Sequence, residues 1–136
     1  MIVAAIIEAH PRYEEYLLWL QKVKNDEIEG VISSHTSVEL YSVLTSLPVS
    51  PRISPALAWQ LIRENIFKSF ELINCTKNDH ISLMQRLAEN QIIAGASYDG
   101  LIAYAAEKAK VDKLLTLNSE DFFRVNPTAV SIISEP

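Results

Sequence analysis

Three acidic residues each follow a hydroxyl or amide residue by two or three positions: Glu39 after Thr36, Asp99 after Ser97 and Asp121 after Asn118. Singly, each acid is explained as part of a helix cap or as a favourable charge in a first helical turn. Together they suggest another chemistry, because carboxylates gathered at one place repel one another unless a cation lies between them. Oxygen ligands without cysteine suit Mg²⁺ or Mn²⁺, and such a site is typical of phosphodiester hydrolysis.

The elements that must position these acids follow from the spacing of apolar residues. Helical spacing occurs around Tyr16, Leu44, Leu61, Leu87 and Ala105. Four apolar runs of strand length lie between or after these segments and cover Gly30–Ser33, Phe70–Ile73, 113–117 and 130–133. Helices that alternate with short buried strands predict an α/β domain with a parallel sheet.

The predicted sheet brings some of the acids to one edge. Glu39 follows the run Gly30–Ser33, and Asn118 and Asp121 follow the run 113–117. Because the carboxyl ends of parallel strands share an edge, these residues are predicted to face one crevice. Asp99 follows a short connector that contains Gly95, so the apolar pattern alone does not place it there.

Composition limits the class of protein. The 136 residues, 49% of them hydrophobic, predict one domain over 1–136, and no apolar run is long enough to cross a membrane. The run 1–7 lacks the features of a signal peptide, and a lone Cys75 fits a reducing compartment, so we expect a cytoplasmic protein. The net charge of −5 argues against a broad basic surface for nucleic acid but not against a metal-dependent nuclease.

Four segments together resemble the PIN-domain ribonucleases, in particular the VapC-like toxins of toxin-antitoxin pairs. They read "IEAHPRYEEYLLWL", "SSHTSVELYSVLTSLP", "RISPALAWQLI" and "GASYDGLIAYAAEKAKVDKLLTLNSEDFFRV", and they keep the order of the family's motifs. The resemblance implies a three-layer α/β/α domain with a central, mostly parallel sheet flanked by helices. It also implies an endonuclease for single-stranded RNA that needs Mg²⁺ or Mn²⁺, forms a homodimer and is inhibited by an antitoxin protein.

The same resemblance assigns roles to the polar residues. Glu39 and Asp99 match the second and third acids of the family, and the fourth position lies where this chain has Asn118 and Asp121. Glu39, Asp99 and Asp121 are therefore the expected metal ligands, with Asn118 orienting a ligand or a water in the catalytic site.

One departure from the family concerns the first acid. Family members begin with a central strand that ends in aspartate, whereas this sequence starts at Met1, so that strand is truncated or missing. One interpretation places the true start upstream. Another lets the run 1–7 move into the sheet as a strand, with Glu8 in place of the aspartate. The alternative function is a catalytically impaired PIN-like protein that acts as a binding module.

The two tryptophans have a simpler explanation. Trp19 lies at helical spacing from Tyr16, and Trp59 lies among Leu57, Leu61 and Ile62. Packing or a dimer interface is therefore the expected role of both indoles, in preference to stacking on RNA bases.

Overall fold

The computed structural model describes residues 1–116, 118–125 and 133–134, without the side chains of Asp121 and Ser134. Helices and short strands alternate along it: α1 (Ile2–Ile6), α2 (Tyr13–Lys24), β1 (Gly30–Ser33), α3 (Ser34–Ser46), α4 (Pro55–Ile62), β2 (Phe70–Ile73), α5 (Lys77–Glu89), α6 (Ala96–Ala109), β3 (Leu114–Leu115), α7 (Ser119–Val125) and β4 (Ile133–Ser134). The predicted α/β class is confirmed. No helix within these described ranges combines the length and the apolar character that a membrane span requires.

The described chain divides into two compact units, and each is taken by itself. The first unit contains Met1–Gly30 and His35–Leu72, and the second contains Val31–Ser34 and the chain from Ile73 onward. A single domain over 1–136 stays a prediction.

The core of the first unit forms where α1 packs against α2. Ala4 and Ala5 of α1 are buried with Tyr16 and Leu20 of α2, and Phe70 packs against this cluster. The small side chains of Ala4 and Ala5 lie in this cluster, and the chain is helical from Ile2 to Ile6. The alternative in which this run becomes a strand that ends in Glu8 is therefore wrong.

The start of α4 agrees with the sequence. Ser54 is the N-cap and its hydroxyl accepts a hydrogen bond from the backbone N–H of Leu57, 3.2 Å away, while Pro55 occupies the first turn. The helix continues directly into a π-helical segment, Arg63–Phe67. Ala58, Ile62 and Ile66 form the buried side of this continuous structure.

In the second unit, α6 packs against both α5 and α7. Ala103 of α6 is buried with Phe122 and Val125 of α7 and with Ile133 of β4. β3 pairs with β4 in parallel, with Leu114 opposite Ile133 and Leu115 opposite Ser134. The third predicted strand is thus shorter than 113–117, and most of the fourth predicted strand, like Leu117, lies outside the described residues.

Candidate active site

Glu39 lies in the second turn of α3. This helix begins at Ser34, directly after β1, and has no acidic residue in its first turn. The interpretation of Thr36 and Glu39 as a capping box is therefore wrong, because both residues lie inside the helix. Leu40 and Leu44 form the buried side of α3, whereas Glu39 is exposed. The position of Glu39 is thus not explained by capping, and its carboxylate is accessible to a ligand.

Asp99 lies in the first turn of α6, on the side of the helix that packs against the rest of the second unit. Ala96, Ile102 and Ala103 of α6 all contact the cluster that contains Phe122. Asp99 is three residues after Ala96, three before Ile102 and four before Ala103, so at about 100° per residue it lies within the same face. Asp99 is half-buried at this position.

Asn118 and Asp121 lie where β3 gives way to α7. The backbone N–H of Asn118 donates a hydrogen bond to Oγ1 of Thr116, 3.0 Å away, and the carbonyl oxygen of Asn118 accepts one from the N–H of Phe122 at 3.4 Å. Asn118 itself is exposed, just ahead of the helix. Asp121 falls within α7, but its side chain is outside the described part of the structure.

Two buried hydroxyl residues of the second unit lie at strand ends. Ser33 is the last residue of β1, and Thr116 directly follows β3. Both are buried, unlike most serine and threonine residues. Each strand thus ends in, or is followed by, a buried hydroxyl group.

The predicted site residues are distributed over the two units. Glu39 belongs to the first unit, whereas Asp99 and Asn118 belong to the second. Within the described residues, no three histidine, cysteine, aspartate or glutamate side chains are grouped so that they could hold a metal ion. Since the carboxylate of Asp121 is not among them, the ligand set of Glu39, Asp99 and Asp121 stays a prediction.

Asp79 is an acid whose role in this protein is helix capping. It completes a capping box with Thr76 at the start of α5, and its carboxylate also accepts a hydrogen bond from Nζ of Lys108. Lys108 first, and then the backbone N–H of Thr76, lower the pKa of Asp79 from 3.8 to about 2. Asp79 is thus committed to capping and to an ion pair, and it is not a candidate ligand.

The donors at the candidate site fit a hard divalent cation. The predicted ligands are carboxylates, with an amide nearby at Asn118, and oxygen donors of this kind suit Mg²⁺ or Mn²⁺. Burial, and then the charge of Asp79, raise the pKa of the Cys75 thiol, so the thiolate is less available than that of an ordinary cysteine.

Comparison with known proteins gives relatives over part of the chain. No family model matches it. Over 83 residues the chain is 35% identical to Ribonuclease VapC40 of Mycobacterium tuberculosis, in strain CDC 1551 / Oshkosh and in strain ATCC 25618 / H37Rv. This stretch is 61% of the chain and 60% of VapC40. Ribonuclease VapC27 of strain ATCC 25618 / H37Rv is 34% identical over 84 residues, which are 62% of the chain and 59% of VapC27.

The matched stretch is shorter than two thirds of each relative, so it supports kinship over that part alone. All these relatives carry the name VapC. The four sequence segments resemble the same group, the VapC-like ribonucleases. The resemblance of this chain to the VapC-like ribonucleases is thereby confirmed over the aligned part.

Proposed function

We propose that this chain is a metal-dependent endonuclease for single-stranded RNA and the toxin of a toxin-antitoxin pair. The observation that carries the proposal is the place of Asp99, a half-buried carboxylate within the packing face of α6. A residue that served only the helix macrodipole could lie on any side of the first turn, including the solvent side. The similarity to proteins named Ribonuclease VapC40 and Ribonuclease VapC27 supports the choice of RNA as substrate.

In the proposed mechanism, Glu39, Asp99 and Asp121 would hold Mg²⁺ or Mn²⁺. When bound, the cation would offset the negative charge of the substrate phosphate and would make water more acidic. Asn118 orients a ligand or a water through its side-chain amide. The hydrogen bond from its backbone N–H to the buried Thr116 holds the backbone of Asn118 in position.

The proposed partners follow from the same kinship. A toxin of this class needs an antitoxin protein to restrain it, and we propose that this chain binds one and forms a homodimer in the cytoplasm. These statements are tested separately from catalysis, by co-purification with the product of an adjacent small reading frame and by measurement of the molar mass in solution.

The decisive experiment measures cleavage of a single-stranded RNA pool in Mn²⁺, in Mg²⁺ and in EDTA. We expect cleavage that needs the metal and falls at least a hundredfold in Asp99→Asn and in Asp121→Asn, because each removes a charged ligand. Glu120→Gln is the matched control, since it removes one carboxylate from the same first turn of α7 and is expected to leave cleavage unchanged. Binding of Mn²⁺, followed by calorimetry, should weaken in the two aspartate variants and not in the control.

Two results would count against the proposal. If Asp99→Asn cleaves RNA as fast as the unchanged protein, Asp99 has only a structural role. If the protein neither cleaves RNA nor binds Mn²⁺, while it still binds an antitoxin, the alternative of a catalytically impaired binding module is supported instead.

A further inference from the structure

We infer that Trp59, Arg63, Phe67 and Lys68 form a surface that binds single-stranded RNA by stacking on bases and pairing with phosphates. We call these four residues the Trp59 surface. The inference rests on the proposed function and deepens it, because it names residues that would hold the same RNA substrate outside the acidic site.

The aromatic residues of this surface are exposed and touch each other. Trp59 is 49% exposed and Phe67 is 44% exposed. Their ring centroids are 6.0 Å apart at an interplanar angle of 55°. The contact holds each ring in place, while about half of each side chain remains accessible, so a base could stack without a large loss of side-chain entropy.

Arg63 lies between Trp59 and Phe67 along the chain. Trp59, Arg63 and Phe67 follow one another at intervals of four residues, and the chain from Arg63 to Phe67 is π-helical. Residues four apart lie on one side of a helix, and the wider turn of a π-helix keeps them in one row. Arg63 therefore lies on the same side of the helix as the two aromatic residues. Its side chain is 52% exposed.

The two cations of the surface share a single carboxylate. Glu64 accepts hydrogen bonds from Arg63 and from Lys68, and the bond from Lys68, followed by the one from Arg63, lowers the pKa of Glu64. One carboxylate cannot neutralise two cations, so this group carries a net positive charge. Ion pairs as exposed as these are weak, and a phosphate can replace Glu64 as the partner.

The charged side chains at the Trp59 surface carry one positive charge more than negative, in a protein whose net charge is −5. Arg63 and Lys68 both pair with the single acid Glu64. An occupant with negative charge and flat faces is complementary to this combination. Single-stranded RNA has both properties, which is why we choose it over a protein partner.

Binding without cleavage is the test, and fluorescein-labelled oligoadenylate in EDTA is the probe. We expect Trp59→Ala to weaken binding by roughly tenfold, as loss of one stacked base does. Trp59→Phe should bind nearly as well as the unchanged protein, because it keeps an aromatic face. Leu57→Ala is the matched control from the exposed side of the same helix, and we expect no change in its affinity.

Charge variants test the phosphate contacts independently of stacking. Arg63→Gln should reduce the slope of log affinity against log salt concentration by about 0.7, the value for one phosphate on a single strand. Glu64→Gln should have the opposite effect and tighten binding, since it releases both cations. Lys22→Gln is the control, because it removes a cation that lies over Trp19, 4.8 Å from the ring centroid, and it should leave the slope unchanged.

The outcomes separate this inference from the proposed function. If Trp59→Ala binds oligoadenylate as tightly as Leu57→Ala does, the inference is wrong, whether or not the protein cleaves RNA in Mn²⁺. It is also wrong if Trp59→Ala converts a dimer to monomers with unchanged RNA affinity, since the surface then joins two copies. Binding that depends on Trp59 in a protein without nuclease activity would uphold the surface and overturn the proposed function.

Discussion

Replacement of Gly30 with alanine should destabilise the protein, because the new methyl group would meet two side chains that cannot easily move. The added Cβ would lie 2.5 Å from Cγ1 of Val23 and 2.7 Å and 2.8 Å from Cδ1 and Cε1 of Phe70. Val23 is buried in α2, and a β-branched side chain in a helix has essentially one rotamer. The ring of Phe70 packs against the cluster that contains Tyr16. Relief of the overlap must therefore disturb the core of the first unit.

The size of the effect follows from two opposing terms. Overpacking of a well-packed core costs about 1–3 kcal/mol. No glycine has a positive φ, so alanine brings no backbone strain and should regain about 0.4–1 kcal/mol through the unfolded state. The net loss is about 1.5 kcal/mol, which for a domain of this length corresponds to a fall in Tm of about 6 °C.

Thermal and urea unfolding, followed by circular dichroism, measure the free energy of unfolding of Gly30→Ala and of alanine variants at the other two glycines. Gly95→Ala should be neutral or slightly stabilising, because nothing lies within 4 Å of its Cβ position. Gly100→Ala should fall between them, since its closest contact, at 2.8 Å, is a terminal methyl group of Leu87. A Gly30→Ala protein as stable as Gly95→Ala would refute the close packing of Val23 and Phe70 around Gly30.

Two more predictions concern the helices around the candidate site. The lowered pKa of Asp79 means that its carboxylate stabilises the fold above its ordinary value of 3.8 and that this contribution is lost as the pH falls towards about 2. The stability difference between the unchanged protein and Asp79→Asn should therefore be constant above about pH 5 and shrink in acid, and urea unfolding with no such trend would contradict the ion pair with Lys108. Leu44→Ala should cost about 2–5 kcal/mol, because Leu44 is fully buried in the helix that carries Glu39. Leu18→Ala, at an exposed position of α2, should change the free energy of unfolding by less than about 0.5 kcal/mol, and equal effects of the two substitutions would contradict the described core.

Local signals predicted several elements well. The serine and proline at the start of α4 specify an N-terminus by their own chemistry, and Ser54 caps the helix. The bounds Gly30–Ser33 and Phe70–Ile73 also match β1 and β2, because short apolar runs beside polar residues leave little choice of length.

The role of Glu39 depended on where its helix begins. In sequence, Thr36 and Glu39 have the form of a capping box, but α3 starts at Ser34, directly after β1. Where a helix starts after a buried strand is decided by how the chain leaves that strand, which local composition does not record. The same holds for Asp99, whose place on the packing face of α6 follows from the position of Phe122 and Val125 in α7.

Trp59 shows most directly what composition leaves open. The residues of α4 are apolar on nearly every side, so the sequence offers no single face for the core, and it predicts packing or a dimer interface for Trp59. In the structure, Ala58 and Ile62 take the buried side, and Trp59 is left exposed beside Phe67. The two rings are eight residues apart in sequence and touch across the π-helical segment. The sequence has no reliable signal for such a segment.

The sequence by itself therefore determined the α/β class and most of the helices and strands, and it predicts an oxygen-rich site at Glu39, Asp99, Asn118 and Asp121. These depend on residue type, on spacing along the chain and on short-range hydrogen bonds. Only the tertiary structure decided which face of each helix is buried, and with it the exposure of Trp59 and the half-buried position of Asp99. The physical reason is that burial is a property of contacts between distant segments, and several faces of an apolar helix satisfy the local pattern equally well.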